Sequence, residues 1–463
     1  MFFCYLETKT MIFQRFLYSE ALFSRAKINL MRKREFAQIT CYESFLTETS
    51  KNRKPSAIRA LQQYLNRPNT ISLGGGMPNS KTFPFASLYV ELSPEYGEKV
   101  TIPISSPTDA FQYSSTAGIP GLVNCLRELQ MVEHCKTDKD KLDILLTTGS
   151  QDVLTKSFEM LLSPGDTLLV EDYTYSGSLA FLRGLDTNLC PVDTDTNGIV
   201  PQALSKILSN WDDEEQRKPR VLYSIPTGSN PTGLTIPLER RHELYHVCSE
   251  HNILILEDDP YYFLQFGEQR LPSLLSIDTE GRVLRFDSLS KVLSSGLRLG
   301  FATGPEKLLE RLNLHVQCTS LHTSGVSQSV VLALFEYWKK TENLAWEGFN
   351  THVDGICNFY KRQRDLCVQL ATKHLSPYAK FSVPDAGMFL WIELKDGSDS
   401  ASFVQKLVEE DRVLVVPGFE FDPIQGKRNN PYFRISYSTA NKEQMEEAFS
   451  RIASRFENYS KKK

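Results

Sequence analysis

Short apolar runs alternate with helical patterns between about Leu142 and Gly304. Runs of consecutive apolar residues predict buried strands, and apolar positions at helical spacing between them predict helices. The strand-like runs are DILLTTGS, DTLLVED, NLCPVDT, RVLYSIP, NILILED and RVLRFDSLS. Because buried strands separated by helices are typical of parallel sheets covered on both faces, this pattern predicts an α/β fold.

The pattern becomes long and helical from about Thr341 to His374. Three further strand-like stretches and two helical patterns then predict a smaller α+β domain; the stretches are KFSVPDAGMFLWIEL, VLVVPG and PYFRISYS. The predicted organisation is an N-terminal extension (1–41), a segment that packs on the small domain and the active site (42–89), a large domain (90–355) and a small C-terminal domain (356–463).

Composition places the 463-residue chain among ordinary globular proteins, with 41% hydrophobic and 23% charged residues. A net charge of −4 gives no electrostatic reason to expect a nucleic-acid or membrane-surface partner. No apolar run approaches the ~20 residues that span a bilayer. The nine cysteines form no C-x-x-C pair, which argues against a disulfide framework and favours a reducing compartment.

Two histidines in HELYH, His242 and His246, share one face of a predicted helix. Such a pair could ligate a metal, but a third ligand is not evident in the sequence. A solvated helix is the favoured interpretation, so we expect no metal.

The N-terminus differs in character from the rest of the chain. Residues 1–34 carry seven Lys or Arg and two Glu among Phe, Leu and Ile. This resembles a mitochondrial transit peptide, which is amphipathic, rich in Arg and poor in acids. A plain unstructured extension is the alternative, so the sequence leaves a mitochondrial-matrix and a cytoplasmic location open.

Polar residues follow several of the predicted strands, where open α/β sheets bind their ligands. Gly149 precedes Ser150 and Gln151 at a helix start, whose free N–H groups suit a phosphate, although Ser150 could simply cap the helix. Asn230 lies in the turn TGSNPTG and offers both a donor and an acceptor.

Asp258 closes an apolar strand, and a buried carboxylate there is costly unless it is paired. Tyr261 follows three positions later, so a tight turn can bring both side chains to one ligand. Asp259 before Pro260 reads as a helix cap, which leaves Asp258 free to point inward.

Lys291 lies in the Gly-containing stretch SLSKVLSSGLRLGF. A lone lysine there could be a surface residue, but a lysine in a cleft near other cations has a lowered pKa and is an amine nucleophile. Arg298, with Ser288 and Ser290, could grip a phosphate.

Arg434 lies within an otherwise apolar strand, PYFRISYS. It could reach solvent from an edge, or clamp the α-carboxylate of an amino acid. Taken together, a lysine that can form a Schiff base, an acid for a ring nitrogen and a phosphate cradle match the needs of pyridoxal 5'-phosphate (PLP).

The order of these motifs resembles the class I aminotransferases of PLP fold type I. S-x-S-K with Arg seven positions later, N-P-T-G and D-x-x-Y carry the resemblance, which runs from roughly Tyr42 to the C-terminus. Within the class, the chain is most similar to the kynurenine/α-aminoadipate aminotransferases. The stretches behind that similarity are NRKPSAIRAL, ISLGGGMPNS, QYSSTAGIP, TTGSQDVL, YSGSL, EDDPYYFLQF, DAGMFLW and PYFRISYS.

The resemblance implies a large domain with a mostly parallel seven-stranded sheet and a smaller α+β domain. It implies that Lys291 is the Schiff-base lysine and the proton shuttle, and that Asp258 pairs with the ring nitrogen. The other implied cofactor contacts are Asn230 and Tyr261 at the phenolic oxygen, Tyr175 stacked on the ring, and Ser150, Gln151, Ser288, Ser290 and Arg298 around the phosphate and lysine.

The resemblance also implies a substrate pocket and a homodimer with shared active sites. Arg434 and Asn230 would bind substrate, Arg59 and Gly76 would belong to an N-terminal segment lining the pocket, and Tyr113 would reach the partner's site. Two departures, Tyr173 where relatives often have proline and Met77 where leucine is familiar, concern pocket shape.

The implied reaction is ping-pong transfer of the amino group of 2-aminoadipate, kynurenine or another bulky or aromatic amino acid to a 2-oxo acid, with 2-oxoglutarate expected. The alternatives are a broad aromatic or branched-chain aminotransferase, a cysteine-conjugate β-lyase on the same fold, and a non-catalytic regulator. Such regulators carry a DNA-binding domain, and the N-terminal extension is too short for one.

Overall fold

A computed structural model shows a large α/β unit and a smaller α+β unit. It describes residues 38–460 except 58–60, 62–63, 65–66, 72, 75, 97–99, 105–109, 138–139, 215, 342–345, 425 and 427. No helix in this described part of the chain is long and apolar enough to cross a membrane.

A seven-stranded sheet forms the centre of the large unit, in the order β3-β11-β10-β9-β8-β4-β5. Its strands are β3 (Leu142–Thr147), β4 (Thr167–Glu171), β5 (Asn188–Val192), β8 (Val221–Ser224), β9 (Leu254–Asp258), β10 (Val283–Ser288) and β11 (Gly300–Pro305). The pairs from β10 through β9, β8 and β4 to β5 are parallel, whereas β11 is antiparallel to both of its neighbours.

Helices cover both faces of this sheet. They are α1 (Glu48–Asn52), α2 (Pro120–Glu133), α3 (Ser150–Leu161), α4 (Ser176–Gly184), α5 (Pro201–Ser209), α6 (Leu238–Glu250), α7 (Leu274–Ile277), α8 (Glu306–Thr319) and α9 (Gly325–Thr341). Successive strand residues point to opposite faces, so Leu254 and Leu256 pack in the core that includes α3 and α8, while Ile255 packs in the core that includes α5 and α6. Burial on both faces explains why these strands are continuously apolar.

A four-stranded antiparallel sheet forms the smaller unit, in the order β12-β13-β15-β14. Its strands are β12 (Ala379–Lys380), β13 (Phe389–Leu394), β14 (Val416–Pro417) and β15 (Tyr432–Ser436), and its helices are α10 (Glu347–Leu375), α11 (Ala401–Glu409) and α12 (Lys442–Ser460). Leu390, Ile392 and Leu394 of β13 lie in a core shared with these helices. The alternate residues of β13, including Phe389 and Trp391, therefore face the other way, toward the large unit.

Two short hairpins complete the described strands: β1 (Tyr89–Glu91) pairs with β2 (Thr101–Pro103), and β6 (Thr194–Asp195) pairs with β7 (Gly198–Ile199). Short 3-10 helices lie at Glu43–Phe45, Ser80–Thr82, Pro94–Tyr96, Ser295–Leu297 and Gly418–Phe421.

All six strand-like runs of the large domain form strands, and the predicted fold class is confirmed. Within the central sheet, the strand that the pattern did not single out is β11, whose GFATGP has two glycines and a proline and therefore little strand propensity. It is nevertheless buried throughout, because it fills the gap between β10 and β3. The domain boundaries stay a prediction.

Candidate active site

Asp258 ends β9 in the middle of the large sheet and is almost completely buried. Its Oδ2 accepts a hydrogen bond from the Tyr223 hydroxyl at 2.8 Å, whereas its Oδ1 is buried without a hydrogen-bond partner among the described residues. Burial raises the pKa of Asp258 to about 7, and the Tyr223 hydrogen bond opposes that rise. A buried carboxylate oxygen without a hydrogen bond costs free energy. Oδ1 is therefore positioned to accept a hydrogen bond from a bound ligand.

Tyr223 is a site residue that sequence reasoning missed. It lies in β8, is fully buried, and its hydroxyl also accepts a hydrogen bond from Ser178 Oγ at 3.0 Å. Burial, followed by the charge of Asp258, raises the pKa of Tyr223, so its hydroxyl keeps the proton it donates. The only local signal was a tyrosine with a polar tip inside the apolar run RVLYSIP.

A tight cradle lies where α3 begins beside Arg298. Gly149 precedes α3 with a φ of 81°, and a Cβ built on it would lie 2.6 Å from Arg298 Nη2. A Cβ on Gly300 would lie 2.4 Å from the backbone nitrogen of Ser150. The two glycines thus let the guanidinium of Arg298 approach the free N–H groups of the helix start, which is an arrangement that binds anions.

Ser288 and Ser290 flank the same region at the end of β10. The Ser288 hydroxyl accepts a hydrogen bond from the Ser290 backbone N–H at 3.2 Å. Gln151 donates from Nε2 to the Gly177 carbonyl at 3.3 Å, which links the start of α3 to the start of α4. The structure therefore brings these predicted phosphate ligands to neighbouring turns.

Lys291 lies in the turn that follows β10 and is half-buried. Its amine forms no ion pair or hydrogen bond with the described residues, and burial followed by the charge of Arg298 lowers the pKa of this amine. A larger fraction of the amine is therefore neutral near pH 8 than for an exposed lysine, and a neutral amine is both a nucleophile and a base.

Asn230 joins the large unit to the small one. Its Oδ1 accepts a hydrogen bond from Arg434 Nη1 at 2.6 Å, and it shares a side-chain hydrogen bond with Tyr261. The Asn230–Pro231 peptide bond is cis. Tyr261 is buried, with its ring edge-on to Phe389 at 5.7 Å. The predicted D-x-x-Y and N-P-T-G residues thus meet, although their roles stay predictions.

Arg434 projects from β15 between two aromatic rings. Its guanidinium carbon lies 4.3 Å from the Phe389 ring centroid and 4.9 Å from that of Phe421. Its Nε is buried without a partner, and no carboxylate among the described residues forms an ion pair with it. Burial lowers its pKa, and the nearby Tyr261 and Tyr175 oppose that effect.

Tyr175 lies immediately before α4, on the side of the site that faces Asp258 and Arg434. Burial raises the pKa of its hydroxyl first, Asp258 raises it further, and Arg434 and Arg298 lower it. Asp258, Arg434 and Arg298 thus all lie within electrostatic reach of the Tyr175 hydroxyl.

Glu171 is a second residue that the sequence did not single out. It ends β4, is buried, and accepts hydrogen bonds from Ser224 Oγ at 2.7 Å, the Ile225 N–H at 2.8 Å and Ser229 Oγ at 2.9 Å. Burial raises its pKa to about 7 even though all three hydrogen bonds lower it. Glu171 thereby anchors the turn that carries Asn230.

Tyr173, one of the two departures from the family pattern, contacts the small unit. Its ring packs 5.3 Å from Trp391 and 5.1 Å from Tyr432, and Arg428 lies over it at 4.5 Å. Arg428 also pairs with Asp172 and with Asp422. Tyr173 is thus part of the contact between the two units.

The roles expected of Arg59, Gly76 and Tyr113 stay predictions. Arg59 lies outside the described residues. Gly76 is exposed, and a Cβ built on it would meet nothing within 4 Å. Tyr113 is 49% exposed, with its ring edge-on to His322, and Met77 is 45% exposed.

Metal binding has no support in the described part of the chain. His242 and His246 lie on α6, and no group of three or more His, Cys, Asp or Glu among the described residues could hold a metal ion.

The residues present fit PLP. The unpartnered Oδ1 of Asp258 can accept from a protonated ring nitrogen, and the cradle around Gly149 and Arg298 can accept a phosphate. Lys291, which carries no partner among the described residues, supplies the amine. The described residues thus leave the Asp258 carboxylate oxygen and the Lys291 amine without the partners that this cofactor would bring.

Comparisons with known proteins agree with this geometry. The family Aminotransferase class I and II matches residues 91–452. The mitochondrial kynurenine/alpha-aminoadipate aminotransferase of Bos taurus is 40% identical over 425 residues, which cover 89% of this chain and 98% of that protein.

Solved structures are similar over the same extent. The aminotransferase Aro8 of Candida albicans superimposes with a TM-score of 0.78 at 28% identity, covering 91% of this chain and 99% of the other. A kynurenine aminotransferase of Pyrococcus horikoshii, solved in complex with PMP, gives a TM-score of 0.71 at 26% identity, covering 91% and 98%.

Proposed function

The chain belongs to the class I and II aminotransferases, and on that premise we propose that it moves the amino group of 2-aminoadipate, kynurenine or another bulky or aromatic amino acid to a 2-oxo acid. The proposed acceptor is 2-oxoglutarate and the proposed cofactor is PLP. The Bos taurus relative is named for kynurenine and aminoadipate, and the Pyrococcus horikoshii structure contains PMP, the aminated form of the cofactor.

The observation that carries the proposal is Arg434 beside Asn230. Arg434 has no carboxylate partner among the described residues, yet its guanidinium is held in place by two aromatic rings and one amide oxygen. A fixed guanidinium binds a carboxylate through two parallel hydrogen bonds. Arg434 would therefore hold the α-carboxylate that every amino-acid donor and 2-oxo-acid acceptor carries.

Lys291 would move the proton in the central step. When bound, PLP supplies an aldehyde that receives the amino group and a ring that takes up the electron pair released at Cα. The Lys291 amine, whose pKa is lowered by burial and by the charge of Arg298, would take the proton from the substrate Cα and return it to the cofactor's C4′.

The remaining residues would bind the cofactor and fix its orientation. Asp258 would accept from the ring nitrogen through Oδ1, while Asn230 and Tyr261 would bind the phenolic oxygen and Tyr175 would stack on the ring. Ser150, Gln151, Ser288, Ser290 and Arg298 would surround the phosphate and the lysine, where Gly149 and Gly300 leave room for close approach.

Replacing Lys291 tests the central assignment. We expect Lys291→Ala to remove the visible absorbance band of lysine-attached PLP and to lower kcat by at least about 1,000-fold, because one side chain serves as both nucleophile and base. Lys361→Ala, which removes an exposed lysine on α10, is the matched control and should behave like the unmodified protein. An active Lys291→Ala protein would refute the mechanism.

A donor panel tests the substrate class. Aminoadipate, kynurenine, leucine, methionine, tryptophan and glutamate are each incubated with 2-oxoglutarate, and the 2-oxo products are measured. Bulky donors should give the highest kcat/KM. A cysteine conjugate incubated without any 2-oxo acid identifies β-lyase activity. Without an acceptor, transamination stops after one equivalent of product per site, whereas elimination continues for many turnovers.

A homodimer is the proposed assembly. Ile71, Leu73, Phe85 and Tyr89 are 60–95% exposed in the single chain, and exposed apolar clusters mark interfaces. Tyr113, exposed near the same segment, would then reach the partner's site. Sedimentation should show a dimer, and Leu73→Asp should shift it toward monomer; a monomeric parent protein would exclude shared sites.

A mitochondrial-matrix location is proposed from the basic N-terminal segment and from the name of the Bos taurus relative. A fusion of residues 1–41 to a fluorescent reporter should enter mitochondria. A diffuse cytoplasmic signal would favour the alternative of a plain extension.

A further inference from the structure

Two buried hydroxyl groups lie on the side of Asp258 that faces away from the expected ligand. Tyr223 and Ser178 are both fully buried, and their hydroxyls form a line that ends at Asp258 Oδ2. Ser178 Oγ donates to the Tyr223 hydroxyl at 3.0 Å, and that hydroxyl donates onward at 2.8 Å. The two carboxylate oxygens therefore differ, since Oδ2 is engaged and Oδ1 is not.

The charges around Asp258 make this hydrogen bond consequential. The charges of Asp259 and Asp287 disfavour a negative charge on Asp258, and the charge of Arg285 favours it. Arg285 is itself paired with Asp259 and Asp287. Tyr175 and Tyr261 also lie within electrostatic reach of the carboxylate. Tyr223 is thus the neutral donor that directly stabilises the ionised form of Asp258.

We propose that Tyr223, supported by Ser178, is a positioning residue that keeps Asp258 ionised and turns its Oδ1 toward the ring nitrogen of bound PLP. The proposal rests on the proposed function, because it needs PLP in this site. With Oδ2 engaged by Tyr223, the shared proton resides on the ring nitrogen rather than on Asp258. Without the hydroxyl, the proton shifts toward the carboxyl group and the contact to the ring weakens.

The test measures cofactor binding to the apoprotein rather than activity. Tyr223→Phe removes only the hydroxyl, and PLP is compared with its 1-deaza analogue, in which a C–H group replaces the ring nitrogen. We expect Tyr223→Phe to raise the dissociation constant for PLP about tenfold, the scale of one hydrogen bond to a charged group, and that for the deaza analogue less than about twofold. Ser178→Ala should give a smaller change in the same direction.

Tyr245→Phe is the matched control, because Tyr245 is a buried tyrosine that donates to an aspartate, Asp278, at the same 2.8 Å but away from the site. It should leave both dissociation constants unchanged. Equal weakening of PLP and the deaza analogue by Tyr223→Phe, or no weakening of either, overturns the inference, and Ser178→Ala decides the matter if Tyr223→Phe does not fold. Failure of the unmodified protein to bind PLP would instead refute the proposed function.

Discussion

Arg285 in the large unit and Arg434 in the small unit differ in burial and in what surrounds them. Arg285, in β10, is fully buried and pairs with Glu257 at 3.2 Å, Asp259 at 2.9 Å and Asp287 at 2.9 Å. Its guanidinium also lies 4.7 Å from the Tyr262 ring centroid. These carboxylates raise the pKa of Arg285 despite its burial.

Arg434 is surrounded by uncharged groups. Two phenylalanine rings and the Asn230 oxygen hold it, and burial lowers its pKa because no acid among the described residues compensates. The difference in their surroundings indicates different roles for the two arginines. A buried cation that the fold has already neutralised stabilises structure, whereas one left without an anion is a place for a ligand's anion.

Removing Arg285 should give the largest effect on stability. Arg285→Leu leaves Glu257, Asp259 and Asp287 without their shared cation, and breaking a buried ion cluster in this way costs about 3–5 kcal/mol. Urea unfolding of the apoprotein measures the loss, with Arg434→Leu as the control, for which we expect a change of about 1 kcal/mol or less. Equal losses for both variants would erase the distinction between the two arginines.

Replacing Arg434 should instead affect substrate binding. We expect Arg434→Ala to lower kcat/KM about 100-fold or more through a higher KM for every amino acid, and Arg434→Lys to fall between, because lysine keeps the charge but loses the two-pronged geometry. PLP binding should change little. Unchanged KM values would make Arg434 a structural residue like Arg285.

Glu171 extends the comparison to an acid whose hydrogen-bond partners, Ser224, Ile225 and Ser229, are all uncharged. Burial raises its pKa from the ordinary value of a glutamate to about 7, so the folded protein binds more protons than the unfolded chain and stability falls as pH rises from about 4.5 through 7. In the Glu171→Gln variant, the free energy of unfolding should therefore fall by about 2–3 kcal/mol less over this pH range than in the parent protein. Urea unfolding of the parent and the variant at pH 5 and pH 7.5 measures it; parallel profiles would show that Glu171 is ionised throughout.

Arg428 pairs with acids, as Arg285 does, but it is only partly buried, as Arg434 is. Its replacement should give the smallest effect on stability, because solvent screens the ion pairs with Asp172 and Asp422. We expect Arg428→Gln to lower the free energy of unfolding by about 1 kcal/mol. Because Arg428 covers the Tyr173 ring beside Trp391, tryptophan fluorescence should shift as well. A loss as large as that of Arg285→Leu would contradict the ranking by burial.

The chain's local patterns predicted a large part of this fold. Continuous apolar runs identified six strands of the central sheet, because both faces of the sheet are buried and each run is short and bounded by turns. The glycine- and proline-containing β11 was not distinguished, since its burial comes from its two neighbours rather than from its own composition. The C-terminal stretch VLVVPG forms only the two-residue strand Val416–Pro417.

The residues of the candidate site also fall into those that the sequence identified and those that it missed. Asp258 and Arg434 stood out because each is a charged residue at the end of, or within, an apolar strand, and Asn230, Lys291 and Arg298 stood out because each lies in the segment that follows one. Tyr223 and Glu171 did not, because a tyrosine or glutamate near the end of a strand has many uses and its partner decides which one applies.

The sequence by itself determined the fold class, the family and the chemical types of side chain available at the strand ends. Those features depend on periodicity, turn residues and motif order, which are local properties of the chain. Only the tertiary structure decided which charges are neutralised. The hydroxyl of Tyr223 meets Asp258 across 35 residues, and Arg434 meets Asn230 across 204. Such partners are selected by packing of the whole core. Only the tertiary structure could therefore show that Arg285, which the sequence did not single out, is neutralised by three acids, and that Arg434, which the sequence did single out, has no acid partner among the described residues.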